Sequence, residues 1–497
     1  MAKKDKKASK AAPDVRRTYD SPRIHPCALF EHVDGAESDR TGRFLVTTVE
    51  DSAAATKAAL RDLKRRIGVK DIASSRDGGA PSMSEGADVL VLQSLGVFVV
   101  NVDPERATRL GRSVGRDADV QDTGYVVEPE YYCRHAIPRH PGVPIGPFAD
   151  RDDPMVSASP DSTKEAYWRG FRDALSRQSD EPLIHEPPVE SRSFDPFAEP
   201  PVARGFEPPP QVRRSGVRAT WGMQAMRVTD SPYRGRGVRV AVIDSGIDEA
   251  HSDFQNRIAD TTSFVGVSAQ DDHGHGTHCA GTLGASEIED HHYGVASEVV
   301  FFIAKVLDRY GWGKEAHVIA GIEWAINQGC RVISVSIERG VNQCQSGYSV
   351  AYEATGERAL AKNAIVIAAA GNRSRRSVHL HRPVSAPANT PSIVGVGAID
   401  RYGHVADFSN RTFCKHGYVD FVGPGVDVFS SDLTNSGYGR RDGTSMATPH
   451  VSGLAALFFE KDPGLDGYGV YKSLKRSCLF TSGLDAADYG HGLPRAV

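Results

Sequence analysis

Apolar residues follow two rhythms in this chain, separated by a polar stretch rich in proline. Beyond residue 216, short and nearly unbroken apolar runs recur at 238–243, 299–304, 331–335, 365–370 and 393–396. Runs of that kind are strands buried on both faces. The stretch 315–328 carries Ile319, Ile322 and Ile326 at helical spacing and stops at Gly329. Buried strands alternating with helices predict an α/β fold over 216–497, a three-layer domain whose central sheet is mostly parallel.

The N-terminal half has a different pattern. Residues 43–49 read as a strand. Ser52 caps a helix that places Leu60, Leu63 and Ile67 on one face and ends at Gly68. Strands at 89–92 and 97–100 flank Ser94-Leu95-Gly96, a hairpin turn. Asp103-Pro104 opens a short helix and 125–128 closes the unit as a strand. The order β-α-β-β-α-β predicts a small, separate α+β domain of ferredoxin-like type over 43–133. About half of the 29 prolines then fall in 134–215, which reads as an extended linker. Within it, Ser162 to Glu165 form a capping box ahead of Trp168, Phe171 and Leu175. That predicts one short helix, docked on a neighbour or serving a partner. Residues 1–42 read as a disordered basic tail.

Composition narrows the function classes. A net charge of −4 with 25% charged residues gives no general attraction to nucleic acid or to a membrane surface. The sequence contains no apolar run long enough for a membrane span. The first residues, Met1 to Lys7, lead into polar sequence without the apolar core of a signal peptide. The seven cysteines, Cys27, Cys133, Cys279, Cys330, Cys344, Cys414 and Cys478, are odd in number and include no CxxC. Neither a disulfide framework nor a zinc site is indicated, and a reducing cytoplasm is the expected location.

Candidate chemistry gathers where strands end. Asp244 follows the run 238–243, Ser336 follows 331–335, and Asn372 follows 365–370. Functional groups in open α/β sheets collect at the carboxyl ends of strands. His275 opens a helix after the glycine-rich Asp272-His273-Gly274, and Ser445 stands in Gly443-Thr444-Ser445-Met446-Ala447-Thr448-Pro449-His450, also at a helix start. Pro449 falls near that start, where a missing N–H is tolerated. Taken singly, Ser445 and His275 could be helix caps and Asp244 a loop carboxylate. Together they are an acid, an imidazole, a serine and an amide donor, the parts of an acyl-transfer site. His273, His275 and His278 also have the residue types of a metal site, a reading set aside because the acyl-transfer set uses His275. His291-His292 reads as a solvated loop.

These segments resemble the subtilisin-like serine proteases, the subtilases. Asp244-Ser245-Gly246-Ile247-Asp248, His275-Gly276-Thr277-His278-Cys279-Ala280-Gly281-Thr282 and the Ser445 segment stand in that family's order. The cysteine after His278 is similar to the proteinase K-like branch. The resemblance implies a serine endopeptidase: Ser445 as nucleophile, His275 as base and acid, Asp244 orienting the imidazole, and Asn372 in the oxyanion hole. It also implies an extended protein or peptide substrate between Gly311-Trp312-Gly313 and Ser336-Ile337-Glu338, with no cofactor required for the chemistry. The N-terminal domain is similar in element order to the family's inhibitory propeptide. By that analogy its tail near Glu130 to His135 threads the cleft, and the chain processes itself near 132–136.

Three features depart from the family. Glu338 and Arg339 follow Ser336-Ile337 where glycine is usual, and Arg373 follows Asn372. Glu338 either pairs with an arginine, favours a basic substrate side chain, or narrows the pocket. The loop 286–291, counterpart of a structural calcium loop, has about the right length but lacks the asparagines. The expected enzyme is one restrained by its own N-terminal domain and dedicated to few protein substrates. The alternative from another class is a catalytically silent binding protein on the same fold.

Overall fold

Alternation of side chains decides how the N-terminal sheet is used in a computed structural model of the protein. Residues 40–48, 52–69, 72–74, 88–92, 95–101, 125–135, 218–286, 291–339, 348–413, 417–435, 437–479 and 484–497 are described. The basic tail, the helix expected at Asp103-Pro104, the linker helix near Trp168, residues 287–290 of the loop 286–291, Cys27, Cys344 and Cys414 lie outside them.

The N-terminal elements are β1 (Arg40–Thr48), α1 (Ala53–Ile67), β2 (Ile72–Ser74), β3 (Val89–Leu92), β4 (Val97–Val100) and β5 (Tyr125–His135). The Ser52 hydroxyl accepts the Ala55 N–H at the head of α1, and Gly68 ends the helix with φ 65°. Val46, Val89, Val91, Phe98 and Val100 pack with Leu63 and Ile67 of that helix. Their neighbours Leu45, Leu90, Leu92, Val97 and Val99 point the other way, into the core that also contains the C-terminal half. With a side-chain period of two, a sheet buried on both faces must be apolar at every position, as β3 and β4 are. The small domain therefore does not pack in isolation. The short strand β2, parallel to β3, carries no mark of its own in the sequence.

The C-terminal strands among the described residues are β6 (Arg218–Ala219), β7 (Arg239–Asp244), β8 (Ile258–Ser263), β9 (His291–His292), β10 (Val300–Lys305), β11 (Trp312–Lys314), β12 (Val332–Val335), β13 (Ile337–Arg339), β14 (Ile365–Ala369), β15 (Val394–Ile399), β16 (Phe421–Pro424), β17 (Val428–Ser431) and β18 (Tyr438–Arg441). Seven of them form one sheet in the order β16-β15-β14-β12-β7-β10-β8. Every neighbouring pair in it is parallel. The expected apolar runs supply its interior. The edge strand β8 has no apolar run to announce it because it is polar, with Ala259 and Asp260 exposed.

The helices of interest are α2 (Trp221–Ala225), α3 (His275–Gly284), α4 (Glu315–Asn327), α5 (Val350–Ala361) and α6 (Thr444–Lys461). Among the described residues, no helix is long and apolar enough to cross a membrane.

The closing N-terminal strand is longer than expected. Its first half pairs with β1, and its last residues run antiparallel between β11 and β13. Arg134 and His135, expected at the start of the linker, belong to this strand.

Candidate active site

Asp244 is the last residue of β7 and His275 the first of α3, and a close backbone contact brings the two together. A Cβ on Gly276 would stand 2.1 Å from the Gly246 carbonyl oxygen, so only glycine lets the helix start sit on the turn after Asp244. Nδ1 of His275 donates to Oδ1 of Asp244 at 2.7 Å, and the same oxygen accepts the Ser245 N–H at 2.7 Å. Both side chains are fully buried. Burial pushes the Asp244 carboxyl up, to about 7, the Ser245 N–H opposing it. Burial, with His273 and Arg441 nearby, holds His275 well below the usual imidazole range.

A residue not singled out from the sequence shapes this corner. Asp271 accepts the N–H groups of His273, Gly274 and Thr277 and the hydroxyls of Ser245 and Thr277. It caps α3 and ties it to the Asp244 turn. Its only sequence signal is an aspartate shortly before a glycine-rich helix start.

Ser445 is the second residue of α6. Its hydroxyl donates to the Ser336 carbonyl at 3.1 Å. Pro449 lies inside this helix, four residues after the serine, rather than at a first-turn position. The carbonyl that its missing N–H leaves open is that of Ser445, which accepts Ser336 Oγ at 2.9 Å and Cys279 Sγ at 3.5 Å. Cys279 Sγ also lies 3.9 and 4.0 Å from the ring nitrogens of His275, so one thiol touches both helix starts. Burial holds that thiol protonated.

Asn372 follows Gly371, whose φ is 105°. The Asn372 Oδ1 accepts both the N–H and the hydroxyl of Thr444 at 2.9 Å. Its Nδ2 is buried and has no hydrogen-bond partner among the described residues. A buried donor without an acceptor costs roughly 1–3 kcal/mol, so its persistence beside Ser445 calls for a reason.

The expected substrate slot is filled by β5. Gly311 O accepts the His135 N–H at 3.3 Å, Trp312 stands opposite Arg134, and Gly313 opposite Cys133. On the other wall Ile337 faces His135 and Glu338 faces Arg134. The His135 ring lies 4.5 Å from His273 and 5.2 Å from His275. Glu338, expected as a pocket wall, is buried and ion-paired with both Arg134, at 3.3 Å, and Arg373, at 3.5 Å. Arg339 is buried against Glu315, its Nε donating at 2.7 Å, and lies 4.4 Å from the Tyr131 ring. Burial pushes Glu315 up to about 7 against the pull of Arg339.

Two carboxylates of β5 reach further. Glu130 Oε1 accepts the Ala316 N–H at 3.1 Å, at the start of α4, while Arg43 holds it from behind at 2.6 Å. Glu128 accepts the Ser349 hydroxyl at 2.8 Å and the N–H groups of Val350 and Ala351, at the start of α5. Carboxylates are favoured at such ends because the first N–H groups of a helix lack partners.

One histidine expectation changes. His291-His292 is not a solvated loop but the strand β9, parallel to β6, and His292 is buried. His278 is occupied elsewhere, with Nε2 on the Val428 carbonyl at 3.1 Å. Among the described residues, the groups that converge to within 4.8 Å as metal ligands could are Asp244, His275 and Cys279.

Known proteins share this sequence pattern. The model of the Subtilase family (Peptidase_S8) matches residues 235–492. Subtilisin DY of Bacillus licheniformis is 36% identical over 273 residues, 54% of this chain and 93% of that protein. A thermostable alkaline protease of Halalkalibacterium halodurans is 32% identical over 343 residues, 68% of this chain and 88% of that protein. A cold-adapted subtilisin-like serine proteinase of known structure is 31% identical, covering 53% of this chain and 89% of its own, with a TM-score of 0.44. The chain belongs to the subtilase family of serine endopeptidases.

Proposed function

We propose that the protein hydrolyses peptide bonds through Asp244, His275 and Ser445, with Asn372 in the oxyanion hole, and that its own N-terminal domain restrains it. The observation that carries the catalytic part is the unpartnered Nδ2 of Asn372. Thr444 commits the amide oxygen twice, so the nitrogen is aimed and waiting for an acceptor. A silent binding protein gains nothing from that cost; an enzyme recovers it when an oxyanion forms.

In the first step Ser445 Oγ attacks the substrate carbonyl carbon and its proton passes to Nε2 of His275. Asp244 holds the Nδ1–H tautomer and stabilises the imidazolium. The carbonyl oxygen, now negative, takes hydrogen bonds from Asn372 Nδ2 and the Ser445 N–H. His275 then protonates the leaving amine, the C–N bond breaks, and water repeats the sequence on the acyl-enzyme. These steps need no cofactor.

The restraint is proposed from β5, which fills the slot where a substrate strand would add. Glu128 and Glu130 anchor it at two helix starts. An enzyme held this way suits a narrow set of protein substrates. A fluorophosphonate probe should label the chain at Ser445, casein should be cleaved, and both should vanish in Ser445→Ala. No label on folded wild type would favour the binding-protein reading.

A further inference from the structure

Glu338 is a buried carboxylate on the cleft wall with three partners, and one of them is carried by the strand in the slot. Its Oε2 accepts the Asn372 N–H at 3.1 Å. Nε of Arg373 stands 3.5 Å from Oε1 but makes no hydrogen bond. Oε1 instead accepts Nε and Nη2 of Arg134, each at 3.3 Å, and Arg134 lies on β5. Arg134 stands directly opposite Glu338 on one side and Trp312 on the other. Its guanidinium carbon is 5.8 Å from the centre of the Trp312 ring. An acid on one neighbouring strand and an indole on the other thus flank a single strand position. A guanidinium fits such a slot better than a neutral side chain, and better than an ammonium, because it can give two donors to one carboxylate oxygen while lying over an aromatic face.

Resting on the reading of this cleft as a protease's substrate channel, we infer that Glu338 and Trp312 select substrates with arginine at the strand position that Arg134 fills. The register says which residue this is. A substrate strand in the same register carries its second following residue to the place opposite Ser336, whose carbonyl receives the Ser445 hydroxyl. That residue supplies the attacked carbonyl, so the arginine is the third residue before the cleaved bond. Arg373 does not replace it. Its longer contact keeps Glu338 from being an isolated buried charge when the slot empties, and leaves the hydrogen-bonding capacity of Oε1 to the substrate.

The test uses the full chain and quenched fluorescent peptides identical except for Arg, Lys, Ala or Glu at the third position before the cut. Arginine should exceed alanine by about tenfold or more in kcat/KM, as for a hydrogen bond between charged groups, with lysine between them and glutamate lowest. Glu338→Gln, which keeps an acceptor for the Asn372 N–H, should collapse the arginine-to-alanine ratio toward one. Trp312→Leu should lower the arginine-to-lysine ratio. Equal cleavage of all four peptides by wild type overturns the inference and leaves the protease reading intact; cleavage of none, by wild type and by a Glu128→Gln chain with weakened restraint alike, overturns both.

Discussion

Thr444 holds Asn372 by two hydrogen bonds of 2.9 Å to one oxygen, and the amide nitrogen on the other side of the group is left without a partner among the described residues. In the proposed oxyanion role the donor is thus fixed before substrate arrives, and no reorganisation is needed when charge develops. Asn372→Leu should therefore lower kcat by about 10²–10³, a magnitude carried over from subtilisin's own oxyanion asparagine, with KM little changed. Thr444→Val removes one tether and should cost less. Steady-state kinetics on one peptide checks both, and a rise in KM alone would count against the oxyanion role.

Acid should loosen β5. Burial, then His275, His273, Arg134 and Arg441, hold His135 well below the ordinary imidazole range, and His273 and His275 are lowered with it. The closed state thus binds fewer protons than the open one. By linkage, closure is complete above the unperturbed imidazole value of about 6.5 and weakens as pH falls below it. Protection factors for amide exchange across 125–135 in Ser445→Ala, with the intrinsic pH dependence of exchange divided out, should fall below that pH, and His135→Leu should blunt the change. Protection factors that stay flat from about pH 7 down to about pH 5 would refute this.

The anchoring carboxylates can be tested without touching the cleft chemistry. Glu128 and Glu130 each serve unpaired N–H groups at a helix start, where such capping is worth roughly 0.5–2 kcal/mol. Glu128→Gln and Glu130→Gln should weaken restraint, and the double variant should do so more than either alone. Intact mass over time reads this out: wild type should shorten near 132–136, the variants sooner, and Ser445→Ala not at all. Identical full-length masses for wild type and Ser445→Ala would rule out self-processing.

Gly276→Ala should be damaging despite its small size. Its Cβ would meet the Gly246 carbonyl oxygen at 2.1 Å, and neither backbone can yield without moving Asp244 or His275. A loss of about 1–3 kcal/mol in denaturant unfolding is expected, together with lost activity. A variant of wild-type stability and rate would show that this contact does not set the triad.

Residues with local signatures are legible in the amino-acid sequence. The apolar runs at 238–243 or 365–370 are strands because nothing else in a sheet covered on both faces tolerates so few polar groups. Asp244, His275, Asn372 and Ser445 fall at strand ends and helix starts, where glycines and small residues mark the turns. The polar edge strand β8 has no such mark. The position of Pro449 can be read but not its consequence, since the carbonyl it frees is satisfied by Ser336 and Cys279 from elsewhere in the chain.

Sequence by itself thus determined the family, the sheet and the residues able to carry the chemistry, because each depends on neighbours a few positions away. Only the tertiary structure decided what meets them. Arg134 reaches Glu338 across 204 positions, Glu130 reaches Ala316 across 186, and β5 lies in the cleft between two strands far from it in the chain. Such pairings leave no period or spacing to read: they follow from strand register and from the need of buried charges and helix ends for partners, which appear only once the chain has folded.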